Sequence, residues 1–96
     1  MTFFFHSEAE DEFTAAIDYY ESCESGLGQD FALEVFSAIQ KIVNYPFAWP
    51  VVEEEIRRCF VNRFPFGIIY NVGQSKIFIL AVMHLRRRPD YWKNRL

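Results

Sequence analysis

Glu55-Ile-Arg-Arg-Cys-Phe-Val-Asn-Arg-Phe-Pro-Phe-Gly-Ile-Ile-Tyr-Asn-Val-Gly-Gln-Ser-Lys-Ile-Phe-Ile-Leu-Ala-Val-Met-His84 is the run in which the apolar period turns from helical to extended. Ile56 to Asn62, Phe66 to Val72 and Lys76 to Met83 are rich in Ile, Val, Phe and Tyr, residues that pack well on a pleated surface. Arg63-Phe64-Pro65 and Val72-Gly73-Gln74-Ser75 separate them, so the spacing predicts three strands joined by two turns, with Gly73 in the second. The last run is apolar almost throughout, as in a strand covered on both faces.

Before Glu55 the period is helical. Ser7-Glu8-Ala9-Glu10 reads as a capping box, Ser7 accepting from the first turn and Glu10 reaching back. Ala9, Phe13, Ala16, Ile17 and Tyr20 then recur at helical spacing, with Glu8, Asp11, Glu12, Asp18 and Glu21 on the opposite, solvated face. Gly26 is expected to stop this helix, and Gly26-Leu27-Gly28 to make a tight connection. Phe31, Val35, Phe36, Ile39, Ile42 and Val43 mark a second amphipathic helix that ends at Tyr45-Pro46. Pro46-Phe-Ala-Trp-Pro50 is a rigid elbow, and the leading Thr2-Phe-Phe-Phe-His6 suits a short strand.

The predicted order is β-α-α-β-β-β with a basic C-terminal tail. Helices and strands that come in runs rather than in alternation indicate an α+β fold, here an antiparallel helical hairpin on a mainly antiparallel sheet. The 96 residues make a single domain, 1–96, and with 51% apolar and 19% aromatic residues there is side-chain volume for one compact core.

The net charge of −3 conceals a division at the same boundary. Residues 1–55 hold twelve acids and one base, Lys41, a balance of −11; residues 56–96 hold nine bases and one acid, Asp90, a balance of +8. A segment so basic raises the question of polyanionic partners. Cys23 and Cys59 lack the spacing of a zinc site and the density of a disulfide scaffold, so the chain is expected to carry no metal or cofactor and to reside in the cytoplasm. The first residues show no secretory leader, and Ile77 to Met83 falls far short of the roughly 18 apolar residues that cross a bilayer, so no membrane association is expected.

Arg57, Arg58, Arg63, Arg86, Arg87, Arg88, Lys93 and Arg95 are interleaved with His84, Tyr91 and Trp92. Arginine forks pair with phosphate and aromatic faces stack on unpaired bases, which suits RNA; the same cations could simply offset the acidic helices or dock an acidic protein. RNA cleavage through the 2′-OH needs a base, an acid and cations around the phosphorane, but no metal. His84 fits either proton-transfer role or a structural one at a strand end, where it continues the alternation of Phe78, Leu80 and Val82. Tyr91, ordinarily with a pKa of about 10, would become more acidic beside arginine; Tyr91-Trp92 also fits an aromatic latch holding the tail. Strand parity points Arg57 and Arg63 one way and Arg58 the other.

Tyr19-Tyr20-Glu21, Gly26-Leu27-Gly28 with Phe31, the Pro46 to Pro50 elbow, Ile56-Arg57-Arg58, Arg63-Phe64-Pro65-Phe66 with Ile69-Tyr70, and Ala81-Val82-Met83-His84 before Arg86-Arg87-Arg88-Pro89 together resemble the RelE/ParE toxin superfamily. The resemblance covers nearly the whole chain. It implies a growth-arresting toxin of a bacterial type II toxin–antitoxin module, also described as plasmid stabilisation, held by a cognate antitoxin in a hetero-oligomer. RelE-like members act as mRNA interferases, cutting mRNA on the ribosome; by that pattern Arg63, His84, Arg86, Arg88 and Tyr91 are the candidate catalytic residues. Arg57, Arg58, Arg87, Trp92, Lys93 and Arg95 are then candidates for binding the nucleic acid or other target. ParE-like members instead poison DNA gyrase. The tail favours the ribosome-dependent endoribonuclease, with gyrase inhibition and a non-toxic interaction module as alternatives.

Overall fold

The computed structural model describes residues 1–96. In chain order the elements are β1 (Thr2–Phe5), α1 (Ser7–Cys23), α2 (Leu27–Asn44), β2 (Val51–Glu53), β3 (Ile56–Phe60), β4 (Phe66–Val72), β5 (Lys76–His84) and a 3-10 turn at Lys93–Arg95. One five-stranded sheet runs in the order β1-β5-β4-β3-β2, parallel between β1 and β5 and antiparallel elsewhere. Both helices cover one face, where Phe13, Phe31, Val35, Ile39 and Ile42 meet Cys59, Ile68, Tyr70, Ile77, Ile79 and Val82. The α+β fold therefore has one strand more than the sequence pattern predicts. β2 is three residues long and half acidic in its surroundings, Val51-Val52-Glu53-Glu54-Glu55, so it carries no alternation to read; it exists because β3 offers it an edge.

Tertiary contacts also move the helix boundaries. His6 N–H donates to Ile79 O at 2.8 Å, one step beyond the paired residues of β1, which keeps His6 extended and makes it the N-cap of α1. Its Nδ1 accepts from Glu8 N–H at 3.1 Å, so the expected Ser7 to Glu10 capping box is replaced by a histidine cap. At the hairpin, Gly26 has φ 90° and precedes α2 directly, so Leu27 and Gly28 belong to the first turn of α2 rather than to the connection. The Glu21 carboxylate accepts from Gly26 N–H and Gly28 N–H at 3.0 to 3.1 Å, satisfying donors at the start of α2. A methyl group at Gly28 would stand 2.6 Å from Ile17 O and 2.9 Å from Glu21 Cβ, atoms of the facing helix that cannot turn away. Gly28→Ala is accordingly expected to lower stability by about 2 kcal/mol, read from the midpoint of urea unfolding; an unchanged midpoint would show that the helices can separate freely.

The elbow is pinned from beneath. Tyr70 Oη donates to Pro46 O at 2.8 Å, and burial pushes its pKa up to about 12. Arg57 Nη1 donates to Trp49 O at 2.6 Å and Phe47 O at 3.2 Å. Arg57, a sequence candidate for target binding, is thereby committed to holding the elbow. No helix is long and apolar enough to cross a membrane.

Candidate functional site

The face of the sheet away from the helices carries a second apolar cluster, Ile56, Ile69, Leu80, Ala81 and Met83, and the tail folds back to lay Trp92 on it. Two neighbours on that cluster break strand alternation. Ala81 pairs with Ile69 and Ile79 with Tyr70, which leaves Leu80 as an extra residue in β5. The bulge reverses parity, so Phe78 and Leu80 lie on the open face while Val82 and His84 turn toward α1, against the alternation expected from sequence.

The bulge sits where β1 has ended, and two charged side chains take the place of the missing strand. Arg95 Nη1 donates to Leu80 O at 3.0 Å, and Glu12 Oε1 accepts from Val82 N–H at 3.0 Å. The same two side chains form a bidentate pair, Nη1 to Oε1 at 3.0 Å and Nη2 to Oε2 at 2.9 Å, with only 6% of the Arg95 side chain exposed. Glu12, with 14% of its side chain exposed, is thus a largely buried anchor rather than part of the solvated helix face, and Arg95 holds the tail instead of facing a target. Arg87 joins them at 3.4 Å from Glu12 Oε2.

Tyr91 lies between Arg87 and Arg95, whose guanidinium carbons are 3.8 and 4.9 Å from its ring centroid. Its hydroxyl is buried without a hydrogen-bond partner. Burial, with the Glu12 carboxylate behind it, outweighs both arginines and drives the hydroxyl well above the ordinary tyrosine range, opposite to the acidification expected from sequence. Trp92 is buried, with its indole nitrogen also unpartnered, so it offers no free face for stacking, and with the half-buried Tyr91 beside its two arginines it forms an aromatic latch on the sheet.

The remaining sequence candidates fall in four places, the first of them Arg86, which is exposed and belongs to none of the ion pairs. Arg63, at φ 70°, leans toward α2 within 3.6 Å of Asp30 and 3.9 Å of Glu34, apart from the tail's ion pairs. His84 packs edge-on against Phe66 in a cleft with Glu12, Tyr19, Tyr20 and Arg87, and its Nδ1 accepts from Arg86 N–H at 3.1 Å. A neutral imidazole that accepts at Nδ1 has that lone pair engaged by the Arg86 amide and carries its proton on Nε2, an arrangement set to donate rather than to accept. Arg58, Arg88 and Lys93 meet around a recess of about 570 Å³ on the open face, floored by Val52, Ile69, Met83 and Trp92. Lys93 pairs with Glu53 at 2.9 Å, a contact that raises its pKa, and Arg88 lies 3.4 Å from Asp90 with 82% of its side chain exposed. Arg58 crosses the Phe60 ring at 4.6 Å and runs over Gly67, where a side chain would crowd it.

Arg58, Arg88 and Lys93, which the sequence reading placed in two different candidate groups, meet at this recess beside Glu53, Val52 and Met83, which it did not single out. The division of charge is the signal that could have found Glu12 and Glu53, since the cations of the second half must draw carboxylates from the first. Every ion pair except Arg88 to Asp90 joins the acidic first half to the basic second half.

A family model described as the ParE toxin of the type II toxin–antitoxin system parDE matches residues 3–89. Among solved structures, a chain of the chromosomal ParDE toxin–antitoxin system from P. aeruginosa superposes with a TM-score of 0.63 at 19% identity, over 90% of this chain and 97% of that one. No curated protein matches the sequence.

Proposed function

The chain belongs to the ParE toxin family of type II toxin–antitoxin systems, and we propose that it arrests growth in the cytoplasm by binding DNA gyrase, a cognate antitoxin masking it until release. The observation that carries this reading is the state of the proton-transfer groups. His84 Nδ1 is occupied by Arg86 N–H, and the Tyr91 hydroxyl is buried with its pKa raised, so neither is prepared to take a proton from a 2′-OH. Arg63 is turned to α2. What stays available is a protein-binding kind of surface, an apolar floor rimmed by Arg58 and Arg88 with the Lys93–Glu53 pair beside them.

Expression without antitoxin, followed by pulse labelling and a supercoiling assay on purified gyrase, tests it. Loss of supercoiling with intact transcripts is expected, and Arg88→Ala, on an exposed residue, should weaken inhibition while the protein stays folded. Cleaved transcripts with unimpaired gyrase would establish the ribosome-dependent nuclease instead, and undisturbed growth a non-toxic module. The antitoxin segment that covers this rim should be acidic, so its complex is expected to weaken as salt rises from 50 to 500 mM, roughly the range over which surface charges become screened. A salt-independent affinity would assign the contact to the apolar floor.

A further inference from the structure

A second recess, of about 510 Å³, opens on the same face at the β1 edge, beside Phe4, Asn71, Lys76, Phe78 and Leu80. Its residues follow from the register. Phe4 is the cross-strand partner of Phe78, and Phe78 of Asn71, so phenyl, phenyl and carboxamide form one row across β1, β5 and β4. The two rings stand 6.3 Å apart and 32° from coplanar, and Phe4 and Phe78 remain 51% and 40% exposed. Lys76, two residues before Phe78 and therefore on the same face, holds its ammonium 5.6 and 5.7 Å from the two ring centroids. No Asp or Glu lines the recess.

Folding does not require this arrangement. Phe3 and Phe5, on the other face of β1, already pack on the core, whereas Phe4 and Phe78 bury little and leave bare apolar surface next to a sheet edge. Half-bare rings on neighbouring strands are the surface on which bases stack. A carboxamide presents a donor and an acceptor in one plane, the pattern that pairs with the edge of a base, and a lysine free of neighbouring carboxylates suits a phosphate. A volume near 500 Å³ is within the range of small-molecule sites. An apolar side chain of a protein partner would cover the rings but satisfy neither the amide nor the ammonium.

We propose that this recess binds a nucleotide unit, its base against Phe4 and Phe78 with an edge at Asn71, and its phosphate at Lys76. The site is separate from the recess of Arg58 and Arg88 and does not depend on which target the toxin arrests. The unit is either a free nucleotide or one residue of a single strand.

The test uses the full chain freed of antitoxin, fluorescein-labelled dA12 and dT12 followed by anisotropy, and 5′-AMP followed by calorimetry. Phe4→Ala and Phe78→Ala are each expected to weaken binding about tenfold, a stacking loss of ordinary size, with unchanged circular dichroism. Lys76→Gln should lower the slope of log affinity against log salt for the oligonucleotides by about 0.7, the share of one single-strand phosphate contact. Binding of 5′-AMP that is lost in Phe78→Ala identifies a free nucleotide, and binding of the oligonucleotides alone, lost in the same variant, identifies a strand. Failure of both probes to bind at millimolar concentration overturns the proposal. Oligonucleotide affinity that is the same in Phe4→Ala, Phe78→Ala and the unaltered protein also overturns it, by assigning binding to the arginines of the tail.

Discussion

Glu12→Ala is expected to remove about 3 kcal/mol or more of stability and to release the tail, because it leaves a buried guanidinium without its carboxylate. Arg95 would keep only the Leu80 carbonyl and a distant Glu8 oxygen at 3.6 Å, and Val82 N–H would lose its acceptor. For a domain whose total stability is on the order of 5–10 kcal/mol, that is a large fraction. The urea midpoint measures the loss, and trypsin cleavage after Arg86, Arg87 and Lys93 measures the release of the tail. Glu12→Gln, which keeps an acceptor for Val82 but not the charge, should fall between. The double variant Glu12→Leu with Arg95→Met should recover much of the loss, since removing both charges leaves no unpaired ion. A Glu12→Ala protein with the original midpoint and the original protease resistance would show that the ion pair does not hold the tail.

Phe31→Ala should cost about 4 kcal/mol, the usual result of emptying a buried phenyl site. Phe31 stands at the centre of the helix-side core: its ring lies 5.1 Å from Tyr20, 5.1 Å from Phe64, 4.9 Å from Phe66 and 6.1 Å from Phe13. Large rings around a vacated position cannot all move in together, so most of the cavity should persist. In a domain of this size the loss corresponds to a fall in Tm of roughly 20 °C, which calorimetry would register. Phe31→Leu, keeping most of the volume, should recover more than half of it. A Tm within a few degrees of the original in Phe31→Ala would mean that this core closes over the gap.

Much of the architecture was legible because it rests on local periodicity. The seven-residue β4 and the eighteen-residue α2 match their apolar patterns, and the parallel placement of β1 beside β5 completes the tie expected between the two halves. Boundaries were less legible where a distant atom sets them. His6 is extended because Ile79 O takes its N–H, and no feature of Ser7-Glu8-Ala9-Glu10 announces a bond to a residue 73 positions away. β2 carries no pattern of its own and depends on the edge of β3. The candidate site divides in the same manner. Arg58 and Arg88 meet at one recess although the sequence reading placed them in different candidate groups, whereas Arg57, Arg63, Arg87 and Arg95 have each been taken up by a carbonyl or carboxylate.

Composition and periodicity alone were enough for the α+β class, the helical hairpin, the three long strands and the separation of charge at Glu55, since each depends on neighbours a few residues apart. Which cations remain free was a matter of packing. The bulge at Leu80 turns His84 to the helix side, and the largely buried pair of Glu12 and Arg95 fastens the tail so that the Tyr91 hydroxyl loses its access to water. A charge read along the chain shows how many partners it requires, but the fold determines which are within reach, because ion pairing and desolvation act over a few ångströms of space rather than along the sequence.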